Sequence, residues 1–538
     1  MAEAPENPAI PSPASSRTLA VVASALAAIS GAAAYACLRA GAILFYGDAE
    51  AHLNIARRVV DSRTPGPHEV GTVWLPVPHL LMALFAQCDV LWQSGLAGTI
   101  PGALCFVAAG VLLFAGVHRL LGRGAAIAAL AVFALNPNLL YLQSIPMTEP
   151  LFFAAVCAVF YCAVLFRTDP AGRYAVWAGL AGFLAALTRY EGWFLVPFAA
   201  LYFCCASPRR RFVPALLFAG LATLGPLLWI FFNWWWWRDG LEFLHGTLRA
   251  LRSAGSGTYP GDHQWVQAWS YYWNAVVLCA GLPLVLAGLA GVLTAVRDRR
   301  ALPLLLLAPA PFFYIWTIHS GGIRLFVPQL YPFGAYNTRY GLAPLPLLAV
   351  ALGALVARIS RAQHLAGLAV GALVVVLPWI HGRWPENAAC WKEARDTSQA
   401  RRAWTAEAAA YLRDHYRPGE GLLMAFGDGT GALREAGIPL QEAITPDNGA
   451  AWQAVLADTA RASRATWALA VSGDRVSDLV HDLSVDASCH ELRRAQGAPM
   501  VEICRLARAS PSLVASPSPI AGPPRPKKTD HEVHPPRS

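Results

Sequence analysis

Long apolar runs separated by short polar breaks fill the chain from about residue 18 to residue 381, and the pattern changes abruptly beyond that point. Crossing about 30 Å of hydrocarbon takes about 20 residues of apolar helix. Runs of that order lie at 18–40, 98–117, 124–142, 150–166, 174–188, 192–206, 212–233, 274–296, 301–318, 341–357 and 363–381. They predict an α-helical polytopic membrane protein with about eleven transmembrane helices. Every second connection is basic: Arg119 and Arg123, Arg167 and Arg173, Arg209 to Arg211, Arg297 with Arg299 and Arg300, then Arg358 and Arg361. Positive loops stay in the cytoplasm. The polar leader 1–17 is therefore predicted to be cytoplasmic, and an odd number of spans places everything after His381 on the extracytoplasmic side of an inner membrane. The first run is too long for the core of a cleaved signal peptide, and no basic cluster precedes it.

The outer connections on this reading are 41–97, 143–149, 189–191, 234–273 and 319–340. The first holds a helical pattern from Asp48 to Val60 and an apolar stretch, Trp74 to Phe85, interrupted by Pro76 and Pro78. Both are predicted to be helices lying at the membrane interface. Trp234 to Trp237 and the aromatic residues from Tyr259 to Trp273 read as a belt at headgroup level. In the remainder, Thr405 to His415 predicts an amphipathic helix, Gly421 to Phe426 and Trp467 to Val471 buried strands, and Val476 to Leu483 another helix. A soluble α/β domain over 382–507 is the expected result, with a disordered Pro- and Lys-rich tail at 508–538. The turn Asp428-Gly429-Thr430-Gly431 is either a plain strand-to-helix connection or a phosphate-binding turn.

Composition closes off other classes. Of 538 residues, 56% are hydrophobic and 14% charged, against roughly 25% charged in soluble domains, so a soluble reading is excluded for most of the chain. Only 12 of the 33 acids fall between Gly41 and His381, and 19 follow. The net charge of +9 resides mainly in short loop clusters and predicts no nucleic-acid partner. Among the 11 cysteines, Cys489 and Cys504 are the pair expected to bridge, and no metal-type cysteine spacing occurs.

Where acids are scarce, those that remain carry the chemistry. Asp48, Glu50 and His52 stand together in the run Tyr-Gly-Asp-Ala-Glu-Ala-His-Leu-Asn, residues 46–54. Asp48 is placed to take a proton from an acceptor hydroxyl, Glu50 to assist, and the three together to hold a divalent metal ion. Residues i and i+2 diverge on a regular helix, so the two acids reach one substrate only if Asp48 sits at or before the helix start, a bend that Gly47 permits. The competing reading is a capping aspartate with solvated neighbours. Thr148-Glu149-Pro150 opens the fourth span, and Thr188-Arg189-Tyr190-Glu191-Gly192 joins the fifth to the sixth; capping, ion pairing or snorkelling also account for these. Arg39, His245 and His263 read as anchors or surface groups. Charged clusters gathered on one side of a lipid-embedded domain are functional candidates by default.

Together with Asn-Thr-Arg-Tyr-Gly at 337–341, these motifs resemble those of GT-C glycosyltransferases that use lipid-phosphate sugars, in particular the protein O-mannosyltransferase and lipid A aminoarabinose transferase group. The resemblance covers about residues 18–381. It implies transfer of a sugar, with inversion, from a polyprenyl-phosphate donor to a protein, lipid or glycan acceptor at the extracytoplasmic membrane face, without a nucleotide or redox cofactor. It assigns catalysis to Asp48 and Glu50, substrate and phosphate binding to Arg189, Arg339, Tyr340, Arg324, Glu149 and Glu191, and any metal to Asp48, Glu50 and His52. The soluble domain has no counterpart in that resemblance. The alternatives are a transporter or flippase of a lipid-linked solute, or a membrane scaffold. Transporters place ionisable groups near the bilayer midplane, often in duplicated halves, and this sequence shows neither.

Overall fold

The computed structural model describes residues 11–207, 212–246, 259–298, 303–358, 364–380, 382–427, 429–448, 452–453, 455, 465–482, 487–492 and 499–506. The tail expected to be disordered, Asp428 and most of the leader lie outside these residues.

The chain enters through α1 (Ser16–Arg39) and then forms a loop containing α2 (Gly47–Arg58), α3 (Pro76–Ala86) and α4 (Asp89–Ser94). The bundle continues with α5 (Leu96–Leu121), α6 (Arg123–Ala134), α7 (Pro137–Gln143), α8 (Glu149–Thr168), α9 (Gly172–Ala186), α10 (Glu191–Ala206) and α11 (Phe212–Trp237). It is completed by α12 (Trp265–Ala280), α13 (Leu282–Arg297), α14 (Pro309–His319), α15 (Leu345–Ala357) and α16 (His364–Ile380).

All eleven apolar runs contain helix, but fewer are straight spans. Among the described residues five helices are long and apolar enough to cross a membrane, or seven if each bent pair counts as one. The bends have local causes. Between α6 and α7 the axis turns by 65°, where Asn136 Oδ1 accepts from the N–H groups of Asn138 and Leu139 and Pro137 has no N–H to give. Between α12 and α13 it turns by 106° at Gly281. The run expected at 274–296 is therefore two helices, and the first begins at Trp265, inside the segment read as an aromatic loop. Bundle-facing positions of α9 are small (Ala175, Ala178, Gly182, Ala185), which lets helices approach closely. Large apolar side chains such as Leu104, Trp177, Leu201 and Leu216 stay exposed on the outside of the bundle, where lipid covers them. This is an integral membrane protein.

The segment after the bundle holds a long helix, α17 (Ala389–His415), then α18 (Thr430–Ala436) and α19 (Arg475–Asp482). Its sheet runs β2-β1-β3-β5-β4, from β1 (Leu422–Met424), β2 (Ala443–Ile444), β3 (Trp467–Val471), β4 (Ala487–Glu491) and β5 (Val501–Leu506). Strands β1, β2 and β3 are parallel, and β5 runs antiparallel to both of its neighbours, β3 and β4. A disulfide joins Cys489 to Cys504 across β4 and β5. One apolar core is shared between the first loop and this domain: Leu53, Ala56, Met82 and Trp92 pack with Trp404, Leu412, Met424, Leu433 and Trp467. Thus α2 and α3 are clamped between bundle and domain.

Candidate active site

Three distant loops converge on one guanidinium. Arg339, only 4% exposed, lies in a short 3-10 turn, Thr338–Leu342, that leads into α15. Its Nη2 donates to Asp48 Oδ2 at 2.5 Å, its Nε to Glu149 Oε1 at 3.1 Å, and its Nη1 to Asn337 Oδ1 at 2.9 Å. Glu149 opens α8, and the same oxygen accepts from Arg189 Nη1 at 3.0 Å. Arg189 also donates from Nε to Glu191 at 2.8 Å, from Nη1 to Thr148 Oγ1 at 2.5 Å, and from Nη2 to Tyr314 OH at 2.7 Å. Tyr314 stacks on Tyr340 at 4.6 Å between ring centroids, and Tyr340 lies beneath Arg339 at 4.7 Å. Two arginines therefore stand against three carboxylates. Removing one partner of such a buried set costs about 3–5 kcal/mol, because the other charge is left uncompensated.

Local sequence explains the placement. Asn337 adopts a left-handed conformation (φ 59°), which asparagine tolerates better than most residues. Gly341 lies so close to α12 that a Cβ would fall 2.2 Å from the Ala275 carbonyl oxygen. Asp48 sits in the first turn of α2, where the helix dipole favours an anion. Its side chain is 34% exposed, against 6% for Glu149 and 5% for Glu191. Of the three acids, Asp48 is the one an incoming substrate can reach.

The other expected residues lie elsewhere. Glu50 belongs to neither a catalytic pair nor a metal site, because two residues along α2 its carboxylate has swung away to pair with Arg401 and with Arg434 Nη2, the latter at 3.2 Å. His52 is bonded to His79, Nδ1 to Nε2 at 2.9 Å. Asp48, Glu50 and His52 thus serve three separate sets of partners, and the donor set does not fit a metal ion. Among the described residues the one group with ligand spacing is Cys489, Glu502 and Cys504, whose thiols are already joined to each other. Arg324 lies outside the ion-pair network. Its Nε and Nη2 are buried without a partner, over the Tyr259 ring at 5.7 Å. It borders the site through Tyr336, whose phenol burial pushes up, Asp48 adding to the effect and Arg339, Glu393 and Arg324 also acting on it.

Two residues went unnoticed in the sequence. Glu393, in the first turns of α17, accepts from Tyr46 OH at 2.5 Å, from the backbone N–H of Asn337 at 2.7 Å and of Thr338 at 2.9 Å, and from the Thr338 hydroxyl. It joins the residue before α2 to the turn that carries Arg339. Tyr46 itself is buried, which holds its phenol protonated well above the usual range, Arg339 opposing and Glu393 reinforcing. Nothing in the pattern marks either residue, since Glu393 lies on a charge-rich helix and Tyr46 is one of many aromatic residues near an apolar run.

Residues 74–237 match the family model described as dolichyl-phosphate-mannose-protein mannosyltransferase. The chain superposes on a crystal structure of ArnT from Cupriavidus metallidurans bound to undecaprenyl phosphate, with a TM-score of 0.56 at 13% identity, covering 94% of this chain and 100% of that one. The chain has the GT-C fold. The apo form of the same ArnT gives 0.55 at 14% identity, over 91% and 98% of the two chains. No curated protein matches. The segment matched by the family model contains Glu149, Arg189 and Glu191, while Asp48 and Arg339 come from outside it.

Proposed function

We propose that the chain transfers a sugar from a polyprenyl-phosphate carrier to an acceptor hydroxyl at the head face, the side carrying the first loop and the α/β domain, and that this face is extracytoplasmic. The carrying observation is the bridge from Asp48 through Arg339 and Glu149 to Arg189, built from three loops far apart in sequence. The donor class follows the lipid that the ArnT structure holds. Asp48, the exposed acid, takes the proton of the acceptor hydroxyl as the hydroxyl oxygen attacks the anomeric carbon. Inversion follows from a single displacement. The leaving phosphate gains negative charge, which cations must meet. Among the described residues Arg189 pairs only with the buried Glu149 and Glu191, so its role is to fix them, whereas Arg339 also pairs with the exposed Asp48 and exchanges that partner for phosphate. Arg324 has two unpartnered nitrogens, and together with Arg339 it grips the phosphate. The carrier phosphate competes with Asp48 for Arg339, so donor binding frees the base. The acceptor is a protein, lipid or glycan hydroxyl, and no step is routed through a metal.

The test is incubation of purified protein with labelled polyprenyl-phosphate sugars. Turnover is expected in the wild type, and Asp48→Asn should lower it by at least about 100-fold, the scale of a lost general base, while the variant stays folded at the assay temperature despite a lowered unfolding midpoint from the lost Arg339 partner. Full activity in Asp48→Asn would remove the base assignment; donor binding without turnover in the wild type would favour a transporter.

A further inference from the structure

A polar cavity, about 180 Å³ in volume, lies where α17 passes over the end of α1. It shares no lining residue with the Asp48 and Arg339 network. One wall is apolar, made by Leu38, Ile43, Leu44 and Phe45. The other carries three guanidinium groups, Arg401, Arg402 and Arg434, against two carboxylates, Glu50 and Glu435, so the lining keeps one net positive charge.

The polar wall is incomplete. Arg434 is 6% exposed and Thr405 2%, yet Arg434 Nε and Thr405 Oγ1 have no hydrogen-bond partner. Buried donors in native proteins are matched, so both point to a missing acceptor. Gly431 belongs to the same construction: a Cβ there would fall 2.4 Å from Glu50 Oε1 and 3.0 Å from Thr405 Cγ2. Only glycine leaves the carboxylate and the threonine where they are, and this accounts for one glycine of the turn at 429–431. The cavity also has a defined depth. A transmembrane helix ends near the lipid headgroups, α1 ends at Arg39, and Leu38 lies both on that helix and in the cavity wall.

We propose that this cavity binds a phosphomonoester, whose oxygens accept from Arg434 Nε and Thr405 Oγ1, with Arg402 adding positive charge and the apolar wall receiving an attached chain. Two sources share this chemistry, a phosphate headgroup of the bilayer and free phosphate.

The experiment uses the full-length protein in nanodiscs of neutral phosphatidylcholine, titrated by calorimetry with dodecyl phosphate and with inorganic phosphate. Arg324→Gln supplies a background in which phosphate binding at the proposed active site is weakened. Expected is a saturable component that survives Arg324→Gln and weakens about tenfold or more when Thr405→Val or Arg434→Lys is added, as for loss of a hydrogen bond to a charged group. Tighter binding of dodecyl phosphate identifies the bilayer as the source, and equal affinities identify free phosphate. Unchanged affinity in Thr405→Val, checked for folding by its unfolding midpoint, or no component surviving Arg324→Gln, overturns the proposal.

Discussion

His52 and His79 are neutral because of where they sit. Burial lowers both, with His79, Arg339 and Arg189 adding to the effect on His52, and His79 is brought down to about 4. Their tautomers follow from one carbonyl. His79 Nδ1 faces the Leu75 oxygen at 2.9 Å, so that nitrogen carries the proton, and His79 Nε2 accepts from His52 Nδ1. Because the folded pKa lies below the unfolded value of about 6.5, the unfolded chain binds more protons in between. Stability is then full above about pH 6.5 and is lost as pH falls toward 4, by about 3 kcal/mol for His79. Unfolding midpoints from pH 7.5 to 4 should show this slope, and His79→Gln should flatten it. At this scale the site was partly legible. Asp48, Glu149, Arg189 and Arg339 stand out because charge is rare in a lipid-embedded chain. Glu50 stands out for the same reason yet serves the neighbouring domain, since the 3.6-residue helical period turns it away from Asp48 and only packing decides what it meets.

The element that completes the site is α17. Its buried positions Cys390, Ala394, Ser398, Thr405, Ala408 and Leu412 keep a helical stripe through 27 residues. Only the part from Thr405 was legible, because the charged residues Lys392, Glu393, Arg395, Asp396, Arg401 and Arg402 crowd the first half of the helix and mask the stripe. The bends at Pro137 and Gly281 were hidden for a related reason: an apolar run fixes burial in lipid and leaves its axis free to turn. Glu393 acts here as a positioning residue, accepting four donors across two loops. Glu393→Gln should retain fold and donor affinity while lowering kcat by about tenfold, since an amide cannot accept from all four, and Glu393→Asp should recover part of it. A fall in KM alone, with kcat unchanged, would count against positioning.

At the scale of the molecule, the α/β domain is a structural half of the head face. Leu53, Ala56, Met82 and Trp92 would lose their cover if residues 382–538 were removed, and Tyr46 and Glu50 would lose Glu393, Arg401 and Arg434. Truncation after His381 should therefore yield a protein that inserts in membranes, unfolds at a lower temperature and transfers no sugar, measured by melting and by donor turnover. The bundle and the α/β domain were each legible from hydropathy, because apolar runs and alternating strands are local signals. Their common core was not, because gathering Leu53 and Trp467 into one cluster from distant parts of the chain leaves no local mark. That joint also orders events in time. Tyr46 and Glu393 are 347 residues apart, and at the usual 5–20 residues per second of synthesis the first loop waits roughly 20–70 s for its partner. Throughout that interval the aspartate loop leaves the ribosome unclamped, so a nascent chain stalled before α17 presents chaperones and proteases with a bare patch that the finished protein never shows.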